Sequence, residues 1–417
     1  MARAARHAVN ADLQRSIDVI WRIEGARVVA TLARMVGDVG LAEDLAQDAV
    51  ADALEQWPES GVPRNAGAWL TAVAKRKAID AWRRRERLDE RYRAIAHDLD
   101  VVVDDAWEPI ADDVLKLVFA ACHPVLSREA QVALTLRVVG GLTSEEIARM
   151  FLVPVTTMQQ RIVRAKKTLT AARVPFEIPE PREWPERMAA VLSVIYLVFT
   201  EGYSATSGDR WIRPDVAAEA LRLGRMVAAL APREPEAHGL VALMELQASR
   251  FPARLGTQGR PILLGDQDRT RWDRAQITRG LDALHRADAI GRGRGPYALQ
   301  AAIAACHAVA PSVAKTDWEQ IVTLYEALDR LAGNPVVTLN RAVAVSMASG
   351  PDAALAIVDG LADEGRLRNS HLVPSVRGEL LLQLGRIDEA RDELRRAIDR
   401  VGNDRQRDVL MEKLAQL

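Results

Sequence analysis

The chain has 417 residues, too many for one hydrophobic core, so two or three domains are expected. Hydrophobic residues make up 49% and charged residues 27%, which fits a folded, soluble chain and excludes a disordered or collagen-like one. A net charge of −1 gives no overall attraction to nucleic acid, and two distant cysteines, Cys122 and Cys306, exclude a disulfide framework and match no metal-ligand spacing.

The charge is distributed in blocks. Asp38 to Glu59 holds seven acids and no Lys or Arg, whereas Lys75 to Arg93 holds nine basic residues against four acids. Asp98 to Asp113 holds seven acids and no base, and Thr156 to Arg173 holds five bases and no acid. Such alternation says more about partners than the total does.

In chain order, Leu13, Ile17, Ile20, Val28, Leu32 and Met35 keep helical spacing, and Gly37 ends that helix. A second helix is predicted from Leu41 to Trp57, stopped by Pro58. Its apolar stripe is Leu41, Leu45, Ala49 and Ala53, which leaves Asp44, Gln47 and Asp48 outward as a docking surface for a basic partner helix, beyond any role in solubility. The loop ESGVPRNAG follows, then a long helix from Ala68 to Arg93. There Trp69 and Trp82 stand among Lys75, Arg76, Lys77, Arg83, Arg84 and Arg85. Basic residues attract phosphates and aromatic rings stack on unpaired bases, although tryptophans at helical spacing are more often core.

After the acidic stretch, helices resume from Asp112 to Ala172. Within them, LTSEEIARMFLVPVTTMQQRIVRAKKTL reads as a helix-turn-helix. Thr143 and Glu146 form a capping box, Phe151 ends the short first helix, LVPV turns, and Thr156 caps the second. Val155, Met158, Ile162, Ala165 and Leu169 face the core, while Thr157, Gln159, Gln160, Arg161, Arg164 and Lys167 face outward. Gln and Arg can each make paired hydrogen bonds to adenine or guanine in the major groove.

Pro175, Pro179, Pro181 and Pro185 stiffen a connection near 173–185. Met188 to Thr200 is the longest apolar run, shorter than the ~20 residues a bilayer needs, and reads as a buried helix. No apolar signal region stands at the N-terminus, so a cytoplasmic, non-membrane location is expected. EGYSATSGDRW reads as a structural turn, with a ligand pocket or a contact to the N-terminal domains as the alternatives; QDRTRWD reads as surface or inter-repeat packing. Helix pairs near 296–332, 335–363 and 371–400 start about 36 to 40 residues apart, close to the tetratricopeptide period of about 34. No catalytic or phosphate-cradling motif is present, and no enzyme activity or cofactor is expected.

Taken in order, DLAQDAV, AWLTAVAKRKAIDAWRRR and the helix-turn-helix resemble regions 2.2, 2.3–2.4 and 4.2 of the extracytoplasmic-function sigma factors of the sigma-70 family, over about residues 10–172. FTEGYSATSG, GPYALQAAIAACHA, LNRAVAV and LGRIDEA resemble the group with a long tetratricopeptide-like extension. No strand-like alternation stands out, so the chain is expected to be all-α, and with the resemblance it divides into region 2 at 1–97, an acidic linker at 98–111, region 4 at 112–174, a Pro-rich linker at 175–185 and a helical repeat domain at 186–417. It implies core RNA polymerase as partner, through its beta-prime clamp helices and beta flap, with Asp44, Gln47 and Asp48 docking on the clamp helices. It implies capture and melting of the promoter −10 element by Arg64, Asn65, Trp69, Lys75, Arg76, Asp80, Arg83 and Arg84. Arg76 stands where many relatives carry Asn. The −35 element falls to Thr156, Thr157, Gln159, Gln160, Arg161, Arg164 and Lys167. The extension is expected to control activity, by contact with the sigma domains or through a DGPF/YCII-type protein, whose genes often neighbour this group. The rival readings are a helix-turn-helix regulator with a ligand-sensing C-terminal domain and an enzyme housed in that domain, the latter expecting a buried polar cluster around Tyr203 and Asp209.

Overall fold

Most helices of the computed structural model start and stop at residues the sequence marks for it. The structure describes residues 2–86, 111–151, 153–203, 212–256, 262–365, 367–401 and 404–417. The acidic linker up to residue 110 and most of EGYSATSGDRW lie outside them.

Helix α1 (Ala2–Val36) starts eleven residues before its first predicted apolar position. The alanine-rich stretch there favours helix without needing a buried stripe. Gly37, with φ of 70°, ends it. Helix α2 (Val39–Ser60) is capped by Asp38, whose Oδ1 accepts from Leu41 N at 2.8 Å. It runs on through Pro58, the predicted stop, because a proline this close to the end forfeits one backbone bond and not the turn. Helix α3 (Ala66–Glu86) is capped by Asn65, which accepts from Ala68 N at 3.0 Å. These three helices bury Leu32, Trp57 and Leu70 completely or nearly so.

Helices α4 (Ala111–Ala121) and α5 (Arg128–Val138) lead into the helix-turn-helix, α6 (Ser144–Met150) and α7 (Val155–Ala171). Phe119, Leu134, Leu136, Leu142, Ile147 and Met158 form their shared core. Cys122 lies buried there with its sulfur 3.3 Å from the Thr135 hydroxyl, and burial pushes its thiol up to about 11, the behaviour of an inert packing residue.

The chain divides into two units, 1–194 and 195–417, and the division falls inside α8 (Trp184–Tyr203). In the first unit Trp184 meets Phe119 edge-on at 5.2 Å and Arg187 donates to the Phe119 carbonyl at 2.9 Å.

The second unit continues with α9 (Pro214–Leu230), α10 (Pro235–Ala248), α11 (Arg274–Ala289), α12 (Pro296–Val309) and α13 (Trp318–Ala332). It ends with α14 (Pro335–Ser349), α15 (Pro351–Glu364), α16 (Leu372–Gln383), α17 (Ile387–Arg400) and α18 (Asp404–Ala415). The predicted pairs are α12 with α13, α14 with α15, and α16 with α17. No regular strand occurs among the described residues. Small residues let the helices approach. A Cβ on Gly239 of α10 would stand 2.7 Å from the Ala298 nitrogen of α12, and Gly385, with φ of 75°, makes the turn between α16 and α17. Among the described residues no helix is long and apolar enough to cross a membrane.

Helix α12 is held at both ends from outside. Glu236 of α10 accepts from Tyr297 N at 2.7 Å and Ala298 N at 3.1 Å, capping its start. Buried Arg269 donates to the carbonyls of His307 and Ala310, each at 2.8 Å, at its end. Trp272 is buried beside it, so QDRTRWD is part packing and part surface: Gln267, Arg269 and Trp272 are buried, while Asp268, Thr270, Arg271 and Asp273 are exposed. His307 packs edge-on against Trp318 at 5.2 Å; burial, with Arg250 and Arg269 nearby, pushes its imidazole down to about 4. The folded pKa is depressed, so this contribution to stability is whole above about 6.5 and is lost as pH falls toward 4. Thermal melting between pH 7 and pH 4 is expected to show a loss of about 2–3 kcal/mol that His307→Phe removes. An equally steep pH dependence in the variant would mean that other groups carry it.

Candidate nucleic-acid and polymerase interface

The helix-turn-helix is built as its residues require. Thr143 Oγ1 accepts from Glu146 N at 3.1 Å and Glu146 Oε2 accepts from Thr143 N at 2.8 Å, so the capping box closes both ways. Phe151 ends α6. One expectation is corrected: Thr156 does not cap α7. Pro154 occupies that position without a side-chain bond, and Thr156 already lies in the first turn. A helical backbone at Thr156 removes the extended conformation a cap needs. Met158, Ile162, Ala165 and Leu169 are buried as expected, with Val155 half-buried. Thr156, Thr157, Gln159, Gln160, Arg164 and Lys167 are exposed, and Arg161 is half-buried. An acid-free row of amide and guanidinium donors therefore faces outward along α7.

Helix α3 offers a second basic surface. Arg64 and Asn65 are exposed in the preceding loop, and Lys75, Arg76 and Asp80 are exposed along the helix. Trp69 is half-buried, held edge-on at 5.2 Å by the fully buried Trp57 of α2. Its indole is thus partly core and partly accessible. The side chains of Arg83 and Arg84 lie outside the described residues.

On α2, Asp44 and Asp48 are exposed, one turn apart. Gln47, expected on the exposed side, is half-buried, and its Nε2 is enclosed without a partner among the described residues. The adjoining Glu43, which sequence reasoning passed over, is 2% exposed. Its carboxylate takes Arg137 Nε of α5 at 2.8 Å and the Lys166 ammonium of α7. Lys166 also donates to Asp44 at 2.8 Å, and Lys77 of α3 donates to Asp52 at 2.9 Å. The bases that this acidic helix lacks are supplied by other helices. No signal local to α2 could have revealed the cations that bury Glu43.

Around Tyr203 the second unit does bury polar groups. Arg213 pairs with Glu201, and Arg254 lies 3.8 Å over the Tyr203 ring and donates to its carbonyl. Burial lowers the Arg254 guanidinium to about 10. These contacts pin the end of α8; Asp209 lies outside the described residues. No group of His, Cys, Asp or Glu suited to a metal ion occurs among the described residues.

Residues 21–88 match the family Sigma-70 region 2, and residues 116–169 match Sigma-70, region 4. Residues 187–288 match a family of unknown function, DUF6596. The chain is 45% identical over 384 residues to "Uncharacterized protein R00370" of Rhizobium meliloti (strain 1021), covering 89% of each. It is 29% identical over 163 residues to "Probable ECF RNA polymerase sigma factor SigI" of Mycobacterium tuberculosis (strain ATCC 25618 / H37Rv), covering 38% of this chain and 56% of that protein. With region 2 carried by α1 to α3 and region 4 by the helix-turn-helix, the chain belongs to the sigma-70 family of RNA polymerase sigma factors, in the extracytoplasmic-function group with a long C-terminal helical extension.

Proposed function

We propose that this sigma factor docks on core RNA polymerase through the α2 surface of Asp44, Gln47 and Asp48 and directs initiation at a defined set of promoters. Helix α7 enters the major groove of the −35 element. Thr156, Thr157, Gln159, Gln160 and Arg161 read base edges there, while Arg164 and Lys167 hold phosphates. Helix α3 and its loop capture the −10 element. Lys75, Arg76, Arg83 and Arg84 draw the strand in, Arg64, Asn65 and Asp80 hydrogen-bond to it, and the accessible part of Trp69 stacks on an unpaired base. The C-terminal repeat domain modulates this activity.

The observation that carries the reading is the conjunction of a basic, acid-free reading helix with a second basic helix backed by tryptophan, in the region 4 and region 2 segments respectively. A helix-turn-helix regulator has use for the first and none for the second. Run-off transcription decides between them. Purified chain added to core polymerase is expected to start transcripts at discrete sites on genomic templates. No transcript unless another sigma factor is supplied would establish the regulator instead.

A further inference from the structure

We infer that the first half of α8 is a working part of the DNA-reading domain: Trp184, Arg187 and Ser193 position α4 and α5, and through them the reading helix α7. The inference rests on the proposed reading of DNA by α7. Its basis is where the side chains of α8 go. The match to Sigma-70, region 4 ends at residue 169, and the match to the family of unknown function begins at residue 187. Yet Arg187, the first residue of that second match, makes its bond to a carbonyl of α4, inside region 4.

The corner between α4 and α5 is the part that needs an outside partner. A helix cannot satisfy its own last carbonyls. As the chain turns out of α4, the Val118 carbonyl accepts from Cys122 N at 3.0 Å and the Ala120 carbonyl from His123 N at 3.2 Å. The Phe119 carbonyl between them takes the Arg187 guanidinium at 2.9 Å, a cation set at the negative end of the helix dipole. The next two carbonyls, of Cys122 and His123, take Gln131 Nε2 of α5 at 3.1 and 3.0 Å. The ring of Phe119 is buried and meets Trp184 edge-on, and Ser193 accepts from Arg128, the first residue of α5. Between these contacts Met188, Val191 and Leu192 are buried at helical spacing. Helix α8 thus grips the end of α4 and the start of α5, and α5 lies against α7. A region 4 cut at its family boundary would lack both the cap and the tryptophan, and the corner that sets α7 could then open.

The test uses the full chain and duplexes that the unaltered chain selects from a random pool. Arg187→Ala removes the cap, Arg187→Lys keeps a cation there, and Glu186→Ala, an exposed neighbour on α8, is the control. Arg187→Ala is expected to bind the duplexes about fivefold more weakly, as when the reading arrangement is held only about a fifth of the time. The loss should fall on the association rate. The dissociation rate and the slope of log K against log salt should not change, because no contact to DNA is lost. Amide hydrogen exchange should quicken in peptides covering 116–138 and not in those covering 39–60. Arg187→Lys should recover most of the affinity. Ser193→Ala, a smaller change that leaves the cap in place, should move binding and exchange the same way to a lesser degree, and it decides the matter if Arg187→Ala does not fold. Binding and exchange unchanged in both variants would overturn the inference. Faster exchange with unchanged binding would make α8 a structural prop alone, and a lower salt slope would make Arg187 a phosphate contact; either overturns the positioning role. If the unaltered chain selects no duplex, the reading role of α7 fails and takes the inference with it, and exchange at 116–138 still tells separately whether α8 completes the domain.

Discussion

Asp48→Lys is expected to abolish association with core polymerase while leaving the fold intact. Asp48 is exposed on α2, one turn beyond Asp44, and a surface change of this kind alters stability by no more than about 0.5 kcal/mol. Reversing a charge inside a docking surface costs about 2–5 kcal/mol of binding, a loss of roughly 30-fold to several thousandfold. Asp48 is a better choice than Asp44. Lysine at 44 would also break the ion pair that Asp44 makes with Lys166 of α7, so a loss of docking could not be read from it alone. Fluorescence anisotropy of labelled chain titrated with core polymerase measures the loss. An unchanged Kd would move the docking surface away from α2.

The second large effect is expected at the reading helix. Arg161→Ala with Arg164→Ala should weaken binding to duplexes that the chain selects from a random pool, and the two residues should differ in kind. Arg164 is exposed further along α7. As a phosphate contact, its loss lowers affinity for all sequences alike and reduces the slope of log K against log salt by about 0.9. Arg161, nearer the start of α7 and half-buried, is the residue proposed to read a base. Its loss should cost about 1–3 kcal/mol on the preferred sequence and relax selectivity at one position. Titrations at three salt concentrations with selected and scrambled duplexes separate the two. If both single variants bind like the parent, α7 is not the reading helix.

Much of this molecule could be read from local pattern. The capping box at Thr143 and Glu146, the stripe through Met158, Ile162, Ala165 and Leu169, and the helix pairs after residue 296 involve neighbours within a few turns, where periodicity and propensity act directly. What escaped depends on distant partners. Nothing in the acidic run singled out Glu43; it is buried because Arg137 and Lys166, 94 and 123 residues away, converge on it. The QDRTRWD pattern left surface and inter-repeat packing both open for the same reason, since the acceptors that bury Arg269 are carbonyls at the end of a helix that starts 27 residues later. The cap of α7 was misplaced by two residues because Pro154 begins the helix without any side-chain bond, and only such a bond is visible as a motif. For the surface proposed to capture the −10 element, sequence supplied the charges but not that Trp69 would be steadied by Trp57 across the helix pair.

The way α12 is held at its two ends bears on how the second unit opens. A helix ordinarily frays from its termini, because the first amides and last carbonyls have no partner within it. Here the Glu236 carboxylate ties the first turn to α10, and the Arg269 guanidinium ties the last to the turn that precedes α11. The first turn can loosen only by stranding a half-buried carboxylate and the last only by stranding a buried guanidinium, so neither end has a cheap local excursion. The span from about residue 236 to 310 should therefore behave as one cooperative block, yielding all together or not at all.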